Sequence, residues 1–426
     1  MQNKGNCTCK KRKGRNFLWG FSTGFQVFDL NSKMNNRNLF LAHLAQTTDF
    51  PLAIEVVKAE GIYLYGPNGE RYMDLISGIG VSNVGHRHPK VTAAIHQQVD
   101  QYLHVMVYGE YIQSPQTLLA KALVDTLPQG LDNVYLVNSG SEAIEGAMKL
   151  AKRYNNRRNL ISCTNAYHGS TQGALSIGGN EEFKRGYRPL LPGTSQIFYG
   201  SFSDLAKITE DTAAVVVETI QGEAGIRVAC TTYFQALRAR CTEVGALLIL
   251  DEIQAGFGRT GTFWAFEQFE IVPDILVCAK GMGGGMPIGA FIANKEVMGV
   301  FKNNPLLGHI STFGGHPVSA AASLATLRVL QEENLIGQVA EKAKLFKSLL
   351  VHPRIKAIRN QGLMMALEFE SFDVLKPIID RAIQLGVITD WFLFCDDSMR
   401  IAPPLTISTD EIHEGCSLIL QAIDGA

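Results

Sequence analysis

Short apolar runs and amphipathic stretches alternate along most of this chain, and their spacing predicts its elements. Between residues 53 and 75, apolar and polar residues alternate around the turn Pro67-Asn68-Gly69, which is typical of a meander of antiparallel strands. Apolar residues then recur with helical periodicity in VTAAIHQQVDQYLH (91–104) and SPQTLLAKALVDTL (114–127). The pattern therefore predicts an N-terminal meander followed by two helices.

After residue 130, strand-sized apolar runs alternate with amphipathic stretches of helical length. The runs are VYLVN (134–138), NLISCT (159–164), AAVVVET (213–219), ALLILDE (246–252) and ILVCA (275–279). This alternation is typical of an α/β fold in which helices cover both faces of a mostly parallel sheet. Toward the C terminus, we expect helices at 317–332, 337–350 and 409–424 and a strand near MMALEFE (364–370).

A chain of 426 residues is too long for one small core, so we expect a large and a smaller domain. The expected boundaries are 34–88 for the N-terminal segment of the small domain, 89–316 for the large domain and 317–426 for the C-terminal segment of the small domain. Residues 1–33 combine a basic run with Cys7 and Cys9, which predicts a disordered extension or a start-site artefact ahead of Met34. A metal site there is the weaker alternative, because a lone C-x-C lacks a second ligand pair.

Composition narrows the class of protein. Apolar residues make up 46% and the net charge is −1, so no polyelectrolyte surface for nucleic acid is expected. The longest apolar stretches, such as residues 246–250, are of strand length, so no membrane span is expected. The eight cysteines are scattered and follow no secretory leader, which favours reduced thiols and a cytoplasmic location.

Two polar residues close apolar runs in the central part of the chain. Asp251 ends the run ALLIL, and Lys280 follows ILVCA and precedes a glycine-rich segment. A buried lysine that forms a Schiff base and an acid that keeps a pyridine nitrogen protonated are what pyridoxal phosphate (PLP) requires. The pair therefore favours this electron-sink cofactor, while a helix cap or a core salt bridge would explain Asp251 alone.

Two further segments follow strand-like runs. Ser139, Gly140 and Ser141 precede a helix expected at about 142–154, where free N–H groups and hydroxyls suit a phosphate, with an ordinary N-cap as the alternative. Tyr167 and His168 follow NLISCT, where an aromatic ring can stack on a planar ligand, with a core tyrosine as the alternative. Nucleotide motifs are disfavoured, since residues 281–286 lack the third glycine of G-x-G-x-x-G.

Together these motifs resemble the class III (ω-amino acid) aminotransferases of PLP fold type I, a group with acetylornithine, ornithine and 4-aminobutyrate aminotransferases. Its segments occur in the family's order between about residues 50 and 424: NSGSEA, YHG, ETIQGEAG, DEIQAGFGRTG with AKGMGGGMPIGA, and STFGGHP. The resemblance implies a large domain whose mostly parallel sheet lies between helices. It also implies a small α+β domain made from the N- and C-terminal segments.

The resemblance assigns expected roles to matching positions. Lys280 would hold PLP and move the proton, and Asp251 would pair with the pyridine nitrogen. The remaining cofactor contacts are expected at Ser139, Gly140, Ser141, Tyr167, His168 and Gln254. Thr312 would reach the phosphate of the neighbouring subunit, which implies a homodimer with shared active sites. No metal ion is expected.

Substrate positions follow the same resemblance, with departures. Glu218 is expected to be the glutamate that can neutralise Arg400, and Arg400 would clamp an α-carboxylate. Ile79 matches the position that is tyrosine in ornithine-specific members. Ser170 stands where many relatives carry a carboxylate-binding arginine. Arg185 or Arg188 could replace that cation, although a surface or inter-subunit ion pair is the better interpretation of both.

The implied reaction is a ping-pong transamination from an ω-amine or diamino acid donor to a 2-oxo acid, with 2-oxoglutarate as the expected acceptor. Two alternatives remain open from the residues. The first is another PLP reaction on the same fold, an amino shift or a decarboxylation, and the second is a PLP-binding protein without turnover. The expected pair of Glu218 and Arg400 favours two alternating substrates over the first alternative, and the retention of every cofactor-contacting residue type argues against the second.

Overall fold

The computed structural model describes residues 35–107 and 109–426, and the chain divides into two units, Met1–Glu55 and Val56–Ala426. In the first unit, helix α1 (Asn36–His43) begins after Asn35, whose side chain accepts a hydrogen bond from the N–H of Asn38. The expected extension at residues 1–33 lies outside the described residues.

The second unit contains the remaining strands and helices, numbered in chain order. The strands are β1 (Lys58–Glu60), β2 (Tyr63–Tyr65), β3 (Arg71–Asp74), β4 (Asn133–Val137), β5 (Asn159–Cys163), β6 (Thr194–Ile197), β7 (Thr212–Glu218), β8 (Leu247–Asp251), β9 (Ile275–Cys278), β10 (Gly289–Ala293), β11 (Ala357–Gln361), β12 (Met364–Glu368), β13 (Val387–Ile388), β14 (Asp390–Phe392) and β15 (Cys395–Ile401). The helices are α2 (Ser77–Gly80), α3 (Pro89–Gln101), α4 (Ser114–Val124), α5 (Gly140–Asn155), α6 (Gln172–Ser176), α7 (Thr231–Val244), α8 (Lys295–Gly299), α9 (Pro317–Glu332), α10 (Val339–Leu349), α11 (Phe372–Gln384) and α12 (Thr409–Asp424).

The largest sheet has seven strands in the order β4-β10-β9-β8-β7-β5-β6. Strands β9, β8, β7, β5 and β6 pair in parallel, whereas β10 is antiparallel to both of its neighbours. The mostly parallel sheet is therefore confirmed. Strand β10 was not predicted, because its sequence GAFIA follows directly on the glycine-rich segment.

Helices cover both faces of this sheet because its central strands are apolar on both sides. Along β8, Leu248 and Leu250 face one core together with Phe234 of α7, and Ile249 faces a second core together with Ile144 of α5. Alternate side chains of a strand point to opposite faces, so a strand buried on both sides reads as a continuous apolar run. That is why the runs in this part of the sequence predicted the strands.

Two smaller sheets complete the unit. One has the order β1-β2-β3-β13 and the other the order β11-β12-β15-β14. The predicted N-terminal meander is confirmed as β1 to β3, paired antiparallel. Strand β13 pairs in parallel with β3, so N- and C-terminal segments share a sheet as expected. The domain boundaries at 88–89 and 316–317 stay predictions.

Arg259 connects distant segments of this unit. Its side chain is fully buried, and its guanidinium donates to the carbonyl oxygens of Leu363 and Pro403 and to Asn83 Oδ1. Burial lowers the pKa of Arg259 to about 9. Within the described ranges, no helix is both long and apolar enough to span a bilayer.

Candidate active site

Neighbouring parallel strands bring chemically active side chains to one edge of the seven-stranded sheet. Glu218 is the last residue of β7, Asp251 is the last residue of β8, and Lys280 follows β9. Strands β7, β8 and β9 are adjacent and parallel, so their carboxyl ends lie side by side. This edge is where ligands bind in α/β proteins.

A cavity of about 450 Å³ opens at this edge. Most of the predicted site residues line it, namely Ser139, Gly140, Ser141, Tyr167, His168, Glu218, Asp251, Gln254 and Lys280. Ile79, Thr312 and Arg400 are not among its lining residues. Glu223, which the sequence analysis did not single out, does line the cavity.

Asp251 and His168 form a buried pair in the cavity wall. His168 Nδ1 lies 2.8 Å from Asp251 Oδ2, and Asp251 Oδ1 accepts from the N–H of Ile253 at 2.9 Å. Burial acts to lower the pKa of His168, but the hydrogen bond and charge of Asp251 outweigh it, so the pKa is raised. The pair holds the Asp251 carboxylate in one orientation.

Lys280 extends into the same cavity with an altered basicity. Its backbone φ is 44°, in the left-handed region that a non-glycine residue seldom adopts. Burial lowers the pKa of Lys280, although the negative charge of Glu223 opposes this shift. A lysine with a lowered pKa is more often neutral, and a neutral amine is the nucleophilic form.

The start of α5 presents hydrogen-bond donors to the cavity. Ser139 is the N-cap, and its hydroxyl accepts from the N–H of Glu142. The N–H groups of Gly140 and Ser141 begin the helix and have no carbonyl within it to donate to. Ser141 Oγ lies 2.7 Å from Thr171 Oγ1. These groups form a site for an anion.

Gly169 allows the cavity wall to approach this helix start closely. Its φ is +121°, and a Cβ on Gly169 would lie 2.4 Å from Ser141 Oγ. Any other residue would therefore displace Ser141. Beside it, Tyr167 Oη lies 3.2 Å from Ser170 Oγ, so the tyrosine ring is held along the wall.

The structure corrects the expected partner of Arg400. Glu218 accepts hydrogen bonds from the N–H groups of Tyr167 and Gly222 at 3.0 and 2.9 Å, and it does not pair with Arg400. Instead, Arg400 donates from both terminal nitrogens to Glu223, each at 2.9 Å. The segment ETIQGE contains both glutamates. Glu218 is the last residue of β7, and its carboxylate already accepts hydrogen bonds from two backbone N–H groups.

Asp390 is a third member of this group. Arg400 Nε donates to Asp390 Oδ1 at 2.9 Å, and the two residues face each other across β14 and β15. We call Glu223, Asp390 and Arg400 the Arg400 cluster. Sequence spacing contained no signal for Asp390, because the contact depends on the register of two short strands.

The other predicted positions lie apart from the cavity. Thr312 is exposed, Arg188 forms a surface ion pair with Glu181, and Arg185 is exposed in the same loop. Ile79 has a left-handed φ of 67° in α2, and Val81 is the residue of that segment that lines the cavity. No arginine of the described chain lines the cavity.

The residues present fit PLP. The donors at the start of α5 suit its phosphate, Tyr167 offers an aromatic face, and Asp251 offers a buried carboxylate for a protonated pyridine nitrogen. His168 Nε2 is buried without a hydrogen-bond partner in the described part of the chain, which leaves one polar atom for a bound group. No cluster of three or more His, Cys, Asp or Glu able to hold a metal ion occurs in these same residues.

Known proteins match this arrangement. Residues 44–423 match the sequence profile of the family Aminotransferase class-III. The chain is 37% identical over 384 residues to acetylornithine aminotransferase of Methanopyrus kandleri, covering 89% of this chain and 96% of that protein. It is 40% identical over 380 residues to putrescine aminotransferase of Pectobacterium atrosepticum, covering 84% of this chain and 80% of that protein.

A solved structure agrees at the level of the fold. The ornithine aminotransferase from Toxoplasma gondii superposes with a TM-score of 0.85 at 29% identity, covering 92% of this chain and 96% of that one. The seven-stranded sheet and its helices therefore have PLP fold type I. The chain belongs to the class III aminotransferases, a PLP-dependent family, and is a transaminase.

Proposed function

We propose that this transaminase uses PLP to move the terminal amino group of an ω-amine or diamino acid donor to a 2-oxo acid, with 2-oxoglutarate as the acceptor, in a ping-pong reaction. The observation that carries the proposal is one cavity lined by Lys280, Asp251 and the start of α5. When bound, PLP supplies an electron sink for the electrons released as the donor loses a proton.

Each residue of the cavity would have a different role in the reaction. Lys280 Nζ, with its lowered pKa, would bond to the cofactor and carry the proton between the donor carbon and the cofactor. Asp251, held by His168, would compensate a positive charge on the pyridine nitrogen. Gln254 lines the same wall and would donate to the phenolate oxygen.

The Arg400 cluster provides for two alternating substrates. Glu223 lines the cavity and Arg400 lies behind it, so the arginine is neutralised while Glu223 stays in place. A donor whose reacting end is an amine would bind in that state. A 2-oxo acid would displace Glu223 and place its carboxylate on the two terminal nitrogens of Arg400.

The names of two relatives and the side chain of Ser170 limit the range of candidate donors. One relative is named for acetylornithine and another for putrescine, so both a diamino acid derivative and a diamine are candidate donors. Ser170 is exposed in the cavity wall and offers a hydroxyl in place of a cation. The far end of the donor is therefore held without a charged partner at that position.

A donor screen on the purified holoenzyme tests this proposal. Loss of the visible absorbance of the lysine-bound cofactor would be followed with acetylornithine, ornithine, 4-aminobutyrate, lysine and putrescine, without an acceptor. Adding 2-oxoglutarate should restore the absorbance and yield glutamate. An absorbance that does not change with any donor would refute the proposed reaction. Release of carbon dioxide from a donor without an acceptor would also refute it.

We also propose a homodimer with shared active sites. Thr312 is exposed and follows Ser311, whose hydroxyl accepts from Asn138 at 2.9 Å beside the cavity. Large apolar side chains in the neighbouring segments are exposed, including Ile112 at 97% and Leu306 at 74%. Such a surface is typical of an interface.

Mixed dimers test the sharing. Lys280→Ala and Thr312→Ala subunits would be refolded together, because a hybrid regains one intact site only if Thr312 serves the partner's cavity. Activity should rise well above that of either variant alone. Activity that equals the sum of the separate variants would contradict the shared site.

A further inference from the structure

Glu218 is not part of the Arg400 cluster, although it lines the same cavity. It is the last residue of β7 and is buried. Its two carboxylate oxygens have different partners, since Oε1 accepts from the N–H of Tyr167 at 3.0 Å and Oε2 accepts from the N–H of Gly222 at 2.9 Å. One side chain therefore joins the segment after β5 to the loop after β7.

The two backbone positions that Glu218 binds belong to different sides of the cavity. Tyr167 lines the cavity and offers its ring to the cofactor in the proposed function. Gly222 directly precedes Glu223, which binds both terminal nitrogens of Arg400. Glu218 thus holds the backbone on the cofactor side and on the acceptor side at once.

Only a carboxylate can accept a hydrogen bond at both of these positions. An ionised glutamate has an oxygen at each end, whereas a glutamine of the same length has one oxygen and one NH2 group. That NH2 group would face a backbone N–H, which would lose its acceptor, and a buried N–H without an acceptor is unfavourable. Burial raises the pKa of Glu218 to about 7, and the two N–H groups oppose this rise, so the hydrogen bonds stabilise the ionised form.

We propose that Glu218 is a positioning residue for both sides of the cavity. On one side it fixes the backbone of Tyr167, so that the ring lies where the cofactor binds. On the other side it fixes Gly222, so that Glu223 is held in place to neutralise Arg400. This inference rests on the proposed function, because it concerns the cofactor and the acceptor of that reaction.

Two variants separate hydrogen bonding from charge. Glu218→Gln keeps one acceptor oxygen and Glu218→Leu keeps none, while both remove the charge. The dissociation constant of the full-length chain for PLP would be measured from the absorbance of the bound cofactor as PLP is added. We expect it to rise on the order of tenfold in the leucine variant and less in the glutamine variant, because fewer hydrogen bonds are lost. Glu210→Gln, at an exposed position ahead of β7, is the control and should bind PLP as the wild type does.

The acceptor side should respond with the opposite sign. At saturating PLP, KM for 2-oxoglutarate should be a few-fold lower in Glu218→Leu, because a less ordered Glu223 competes less well for Arg400. Asp390 still holds the arginine through Nε. A general loosening of the fold would weaken the binding of PLP and of 2-oxoglutarate together, so a rise in both constants would overturn the proposal.

A double-mutant cycle tests whether Glu218 acts through Tyr167. In the Tyr167→Ala background, Glu218→Leu should change the dissociation constant for PLP little, because the ring that Glu218 positions is already absent. A full additive effect, an unchanged constant in Glu218→Leu alone, or equal effects of the leucine and glutamine variants would each overturn the proposal.

If the leucine variant does not fold, the glutamine variant takes its place. Glu218→Gln must then change the dissociation constant for PLP or KM for 2-oxoglutarate, because it leaves one of the two N–H groups without an acceptor, and wild-type values of both would overturn the proposal. Failure of the proposed function has a different signature, since Tyr167→Ala would then bind PLP as tightly as the wild type.

Discussion

Two groups of residues, one in the cavity wall and one reaching from Glu223 in the wall to residues behind it, are positioned in different ways. Asp251, His168 and Lys280, which we call the strand-end group, lie at or beyond the carboxyl ends of parallel strands in one sheet. The Arg400 cluster joins a loop after β7 to two strands of another sheet. The strand-end group is positioned by a regular sheet and the cluster by contacts between distant segments. In the proposed function, the chemistry would depend on the first group and the choice of substrate on the second.

The largest expected effect is in the strand-end group. Lys280→Ala should reduce transamination on the order of 10⁴-fold, because it removes both the covalent attachment and the proton carrier. Borohydride reduction of the holoenzyme followed by peptide mass analysis should label Lys280 in the wild type and no lysine in the variant. The exposed Lys295→Ala variant is the control. Label at another lysine of the wild type would refute the assignment.

The substitution Asp251→Asn should have the second-largest effect on activity. Asp251→Asn keeps a hydrogen-bond acceptor for His168 but leaves a pyridine nitrogen without its counter-charge, and the loss of a buried charge partner costs about 3–5 kcal/mol. We expect kcat to fall about 10²- to 10³-fold in both half-reactions, measured by stopped-flow absorbance. Asp211→Asn, at an exposed position, should behave as the wild type. A selective effect on one half-reaction would place Asp251 outside the cofactor site.

Arg400→Lys should affect the acceptor half-reaction more than the donor half-reaction. Lysine keeps the positive charge between Glu223 and Asp390 but loses the planar pair of donors. We expect KM for 2-oxoglutarate to rise about 10- to 100-fold, the range for charged hydrogen bonds, with less change in the donor half-reaction. Arg158→Lys, exposed on the surface, is the matched control. Equal losses in both half-reactions would mean that the cluster is not specific to the acceptor.

The smallest expected effect is the change of KM for 2-oxoglutarate with pH. Asp390 has a pKa raised to about 6 by burial, against Arg400 and together with Glu223 and Asp74. Below about pH 6 the carboxyl is protonated and the cluster loses one negative charge, so a carboxylate binds more tightly. KM for 2-oxoglutarate should therefore be a few-fold lower at acid pH than at neutral pH. Asp390→Asn should flatten this dependence, and an unchanged slope would assign it to another group.

The same contrast explains what the sequence could predict. Asp251 and Lys280 could be found because each ends an apolar run that forms a strand. Glu218 and Glu223 lie in one short segment, and only the folded loop shows that Glu223 reaches Arg400. Asp390 could not be predicted, since its role depends on its register opposite Arg400. Local patterns encode strands and their ends, whereas contacts between segments follow from packing of the whole chain.

The buried guanidinium of Arg259 affects how parts of the molecule unfold locally. One side chain satisfies acceptors on Asn83, Leu363 and Pro403, so none of these three segments can detach without leaving buried polar groups unpaired. Local unfolding of any of them is therefore coupled to the others. Backbone amides around the three positions should exchange with solvent deuterium at a common rate, as one cooperative unit.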